Sequence, residues 1–262
     1  MKKMTRRSFV TASAASASVI GAGAASMGLL GQASAQAQTT AQPSAQHVQP
    51  VLPPVEAVEL AASWDSAKFD QIVHDDARFK QVFDSVKFSH ELLNHLRNSL
   101  NGLQYGFGVE PKQIKVVAVL SGLATFMNFD DAIWSRYQIG AHFHITDPKT
   151  GQPAVRNIFY LSEIAPNGTY TSTNPESAGS IENDSSMTAL GERGVRFMVC
   201  HNATLGLSRY LASHAQAGQS LTGDQVYNDM VAHLLPHCVL VPAAVAAIAM
   251  LQTEGRYSYI YV

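Results

Sequence analysis

Apolar residues follow two different rhythms along this chain. "QIKVVAVLSG" (residues 113–122), "VRFMVC" (195–200) and "CVLVP" (238–242) are continuous apolar runs that stop at a small or polar residue. Runs of this length, rich in valine, predict strands buried on both faces. "FKQVFDS" (Phe79–Ser85) predicts a first strand and "YSYIYV" a terminal one, with Tyr257, Tyr259 and Tyr261 alternating along it. Between them the period changes. Leu92, Leu93, Leu96, Leu100 and Leu103 recur at helical spacing behind Ser89, the expected cap, and Gly106 and Gly108 close that helix. Further helices are predicted over "DSAKFDQIVHDD", "FDDAIWSRYQ", "DSSMTALGERG" (opened by Asp184 or Ser185), "ATLGLSRYLASHA", "TGDQVYNDMVAHLLP" and "AAVAAIAMLQTEG". Strands and helices that alternate in this way predict an α/β fold: an open, doubly wound, mostly parallel sheet with helices on both faces.

One stretch breaks the alternation. Residues 141–186 are crowded with turn signals, "DPKTGQP" and "APNGTYTSTNPESAGSIENDSS", and are long for a connection inside a compact domain. A hairpin with "AHFHITD" and "NIFYL" as its arms is expected, followed by an irregular surface excursion that serves as a flap or an oligomer contact.

Upstream of the fold the composition changes. Residues 1–37 open on Lys2, Lys3, Arg6 and Arg7, continue in a weakly apolar Ala/Ser/Gly stretch from Val10 to about Leu30, and end in small-x-small cleavage candidates at Ala33–Ala35 and Ala35–Ala37. This is the layout of a secretory signal peptide. The pair Arg6–Arg7 in "TRRSF" resembles the twin-arginine motif, so export of a folded protein to the periplasm, or out of the cell, is expected. Residues 38–62, rich in Pro, Gln and Ala, read as a linker, and residues 63–262 as one domain. The formal net charge of −2 includes those four leader cations and no leader acid, so the remainder sits near −6. That argues against nucleic acid or an anionic membrane as partner. No second long uncharged apolar stretch follows the leader, so no membrane span is expected in the exported form. There is no GxGxxG or GxxxxGKS, so no dinucleotide or P-loop site is indicated, and no cofactor is expected.

Candidate chemistry centres on "FMVCHNAT" (Phe197–Thr204). One of only two cysteines stands where a strand ends and a helix begins at about Asn202. Ligands of open α/β sheets bind beyond the carboxyl ends of the strands, and the free N–H groups of a helix start favour an anion. A thiolate at Cys200 would be stabilised there. His201 and Asn202 lie beside it, and Ser121 and Gly122, ending the neighbouring strand, would add a hydroxyl and backbone donors. Cys200 reads equally as a reactive site and as a small core residue. A disulfide with Cys238 is not expected: one ends its strand and the other begins the next, about five residues apart at ~3.3 Å each, beyond the roughly 7 Å limit on Cα separation. No metal site is expected among the ten histidines. His142 and His144 are the nearest thing to one, since alternate strand residues share a side. Asp130 and Asp131 open a helix, where acids belong, and are assigned no catalytic role.

Three segments carry a resemblance. "IKVVAVLSGLATFMNFDDAIWSRY", "LGERGVRFMVCHNATLGL" and "LLPHCVLVPAAVAAIAMLQTEGRYSYI" resemble the second strand and loop, the strand-to-cysteine element, and the closing strand, helix and strand of the DsrE/DsrF-like family of sulfur-relay proteins. The resemblance spans roughly Phe79 to Val262 apart from the excursion. It implies a three-layer, flavodoxin-like fold and a homotrimer or homohexamer. At the position of Cys200 it implies a sulfur carrier that holds a persulfide and exchanges sulfur with a donor and an acceptor. Two alternatives stand beside that expectation: a non-catalytic oligomeric binding or scaffold protein with an inert core cysteine, and a metal- or cofactor-binding export substrate.

Overall fold

The computed structural model describes residues 64–215 and 220–262. The leader with Arg6 and Arg7, and the linker, lie outside the described residues. Among the described residues no helix is long and apolar enough to cross a membrane.

Five strands form one all-parallel sheet: β1 (Phe79–Ser85), β2 (Ile114–Leu120), β3 (Arg196–Cys200), β4 (Cys238–Val241) and β5 (Ser258–Tyr261), in the order β4-β3-β2-β1-β5. The continuous apolar runs are explained by burial from both sides. On β2, Val116, Ala118 and Leu120 face one layer while Val117 and Val119 face the other, and all five are at most 1% exposed. On β3, Phe197 and Val199 face the first layer and Met198 and Cys200 the second.

The first layer is the thicker. It holds α2 (His90–Asn101), α3 (Asp131–Arg136), α5 (Met187–Glu192), α6 (His201–Ser213) and α7 (Gly223–Ala232), with the short α4 (Ile139–His142) beyond α3. The second holds α1 (Ser66–Val73), which brings Phe69, Ile72 and Val73, and α8 (Ala244–Thr253), which brings Ala244, Ala247 and Leu251. Connection handedness accounts for the division. From β1 to β4 the chain steps one way along the sheet, and after β4 it runs back to the far side of β1. Right-handed crossovers in opposite directions place their helices on opposite faces. The expected doubly wound α/β architecture is therefore present.

Local signals held at several element ends. Ser89 caps α2, accepting from Leu92 N at 3.0 Å. The leucine face of α2 is buried through Leu100, after which one π-helical turn (Gly102–Gly106) carries the chain into Gly108 at φ +69°. Asp130 caps α3 with Oδ1, and its Oδ2 pairs with His233 Nδ1 at 2.8 Å. The cap of α5 is Ser186 rather than Asp184 or Ser185. β5 lies at the sheet edge with Tyr259 and Tyr261 exposed, while Tyr257 is buried and donates its hydroxyl to Ile72 O.

The excursion differs from expectation. "AHFHITD" is not a strand: its start belongs to α4, and His144 adopts φ +56°. Thr146 makes an isolated antiparallel bridge with Pro153, closing a tight loop, and residues 158–160 form a turn rather than a second arm. The expected second arm is instead packed into the first layer. Phe159 is 3% exposed and stacks on Phe88 at 5.9 Å, within a cluster that includes Trp134. Asn157, 1% exposed, donates from Nδ2 to both Met127 O and Phe129 O at 2.8 Å and accepts from Phe159 N at 3.0 Å. A buried amide that satisfies two carbonyls and one N–H acts as a polar rivet. Turn composition signals loops but cannot reveal such a rivet.

Candidate functional site at the strand ends

β3 and β4 are neighbours whose following helices leave on opposite faces, so their carboxyl ends form the topological switch point of the sheet, where doubly wound folds place their crevice. Cys200 pairs in register with Val241 there. α6 begins one residue earlier than the sequence suggested, at His201, and Cys200 is itself the N-cap. Its Sγ accepts from Ala203 N at 3.4 Å, while Thr204 Oγ1 donates to Cys200 O at 2.8 Å.

A second donor comes from the other face. Ala244 N, opening α8, lies 3.3 Å from the same sulfur. The N-cap of α8 is Ala243, whose side chain makes no capping bond. One sulfur therefore serves the N-termini of two helices that diverge from the sheet. Orphan N–H groups at helix starts need an acceptor, and Cys200 supplies it twice. Two helix N-termini thus present an N–H to the same sulfur. The residue is also well enclosed, at 6% exposure, among Met198, Val239, Val241 and Ala247.

The other predicted members of the site distribute differently. His201 turns away from the sulfur: its Nδ1 lies 2.7 Å from Tyr227 Oη and its ring meets that of Tyr227 edge-on at 5.2 Å. Burial pushes the Tyr227 phenol upward. Asn202 is exposed on the first turn of α6. Ser121 donates its N–H to Ser85 O at 3.1 Å, continuing the sheet ladder. Gly122 adopts φ +50°, and the amides of Leu123 and Ala124 both point at Val86 O, at 3.0 and 3.3 Å. The amides that follow Ser121 and Gly122 are thus engaged with β1's outgoing loop. A Cβ at Gly122 would lie 2.8 Å from Val86 O, which explains glycine there.

Cys238 begins β4 opposite Phe197, three register positions from Cys200, or about 10 Å along the strands. Both thiols are free. Burial pushes the Cys238 thiol strongly upward, and its Sγ meets Asn128 Oδ1 at 3.4 Å. The neighbouring acids are in structural use as well: Asp131 Oδ1 accepts from Asn157 N at 2.8 Å. No group of three or more His, Cys, Asp or Glu that could hold a metal occurs among the described residues. The same-side argument for His142 and His144 fails with the strand it assumed, since His142 ends α4 and His144 is exposed beyond it.

The Ala244 amide was the part of this site missed by sequence reasoning. Its signal was present in "VPAAVAA": a strand broken at Pro242 and followed at once by a helix with no Ser, Thr, Asp or Asn to cap it. Comparison with protein-family models, with curated proteins and with solved structures returned no match.

Proposed function

We propose that this protein is an exported DsrE-like sulfur carrier that works through Cys200. The observation that carries this reading is the convergence of Ala203 N and Ala244 N on one sulfur at the switch point of the sheet. The chemistry is an exchange between persulfides. The Cys200 thiolate attacks the outer sulfur of a donor R–S–SH, one S–S bond forms as another breaks, and the donor leaves as its thiolate. Cys200 then bears –S–SH, with no net oxidation or reduction.

A second reading is favoured by burial. At 6% exposure, Cys200 also fits a structural role, capping α6 and α8 in a protein whose function lies elsewhere. Intact mass separates the two. After incubation of native protein with a low-molecular-weight persulfide, the carrier reading expects the mass to rise by one sulfur atom in wild type and in Cys238→Ser, but not in Cys200→Ser. Serine is a good N-cap of similar size, so Cys200→Ser should stay folded. A Cys200 that gains no sulfur natively, and that is alkylated only after denaturation, would sink the carrier reading and leave the capping role.

A further inference from the structure

His142 and His214 come together in a cleft of about 220 Å3 beside Arg136, Tyr137 and Gln138. Their ring centres are 6.2 Å apart with the planes at 80°. The tautomer of His214 follows from its partners. Its Nδ1 lies 2.9 Å from Tyr210 O and 3.0 Å from Ser213 Oγ, and Ser213 Oγ donates its own proton to Tyr210 O. A carbonyl can only accept, so Nδ1 carries the proton and Nε2 presents a lone pair. The ring is further held by stacking on Tyr210, centre to centre at 4.1 Å. His142 is half-buried, and its ring has no hydrogen-bond partner among the described residues. The charge of Arg136 at the cleft wall is neutralised by its ion pair with Asp229.

We infer that His142 and His214 form a two-histidine site for Cu(II), the imidazoles in near-trans positions and the other positions filled by water. A ligating imidazole whose second nitrogen donates to a backbone carbonyl is the usual arrangement at such sites, and His214 already has it. With metal–nitrogen bonds of about 2.0–2.1 Å and a ring nitrogen ~1.1 Å from its ring centre, two imidazoles on one ion have centres roughly 4.5 Å apart in cis positions, ~5.1 Å at the tetrahedral angle and ~6.3 Å in trans positions. The observed 6.2 Å matches near-trans positions on a square-planar Cu(II) ion. Imidazole donors without thiolate or carboxylate suit Cu(II) and Zn(II) rather than Mg(II) or Ca(II), and Cu(II) binds tightest. The pairing joins α4 to the end of α6, elements 72 positions apart in the chain, so neither histidine announces the other.

The test is Cu(II) titration of tag-free, full-length protein, followed by electron paramagnetic resonance and by competition with a chelator. One equivalent of Cu(II) with two imidazole nitrogens is expected. Losses of second-shell partners already weaken metal sites by about 10–100-fold, so His142→Ala and His214→Ala should each weaken binding at least ~10-fold and leave one bound imidazole. His144→Ala and His47→Ala should change neither readout. Binding unchanged in His142→Ala and His214→Ala, or lost in either control, would overturn the inference. So would a wild-type spectrum without coordinated imidazole nitrogen. Circular dichroism of each variant confirms that the fold is intact, and both histidines are exposed enough to be replaced without opening the core.

Discussion

Replacing Asn157 by alanine tests whether the long excursion is part of the fold or an appendage to it. The side chain makes three hydrogen bonds at a position 1% exposed: two from Nδ2 to the carbonyls of Met127 and Phe129, and one to Oδ1 from Phe159 N. Each bond contributes about 1 kcal/mol net, and each buried group left without a partner costs about 1–3 kcal/mol. Water entering the small cavity would recover part of this, so a loss of about 3–5 kcal/mol is expected for Asn157→Ala. That is a large share of the ~5–15 kcal/mol that holds a typical domain folded. With a urea m-value of about 2–3 kcal/mol/M, the unfolding midpoint should fall by about 1–2.5 M at nearly constant m. Asn157→Asp should be at least as damaging, because a carboxylate cannot donate to two carbonyls and would face them with like charge. The assay is urea denaturation followed by tryptophan fluorescence, for which the buried Trp134, close to Phe159, is a suitable probe. A midpoint shift below ~0.3 M in Asn157→Ala would refute the reasoning and return the excursion to the status of a loosely held loop.

Two further outcomes are expected. Burial of Asp229 by itself would raise its carboxyl, but hydrogen bonds from Arg136 and Tyr137 outweigh this and hold it below the ordinary value of 3.8. A depressed folded-state pKa adds stability that is present above the unfolded value and is lost as pH falls through the folded one. The melting temperature should therefore drop as pH is lowered from about 5 into the range below 3.8, and the drop should be smaller in Asp229→Asn; equal drops would show that the cluster does not contribute. Replacing Arg6 and Arg7 together by lysine should leave the precursor in the cytoplasm, as cell fractionation would reveal, whereas undiminished export would mean that the ordinary secretory route is used.

The sequence by itself determined the order and type of nearly all elements. A strand buried on both faces must be apolar at every position, and a helix covering one face must repeat about every 3.6 residues, so local composition alone distinguishes "KVVAVL" from "HELLNHLRNSL". The placing of Cys200 at a strand end was legible for the same reason, as were the cap at Ser89 and the helix start at Asp130, which act within three residues of themselves. What lay between residues 141 and 186 was not legible. Its order comes from Asn157 reaching carbonyls some thirty positions back in the chain, and no local pattern encodes that. Tertiary structure alone decided that the chain runs back across the sheet after β4 and so sends α8 to the second face. That turn brings Ala244 N to a sulfur 44 residues away and makes Cys200 the acceptor for two helices instead of one. It likewise separated His142 from His144 and set it beside His214, because a residue's neighbours across space are chosen by how layers pack, a long-range property to which sequence spacing is blind.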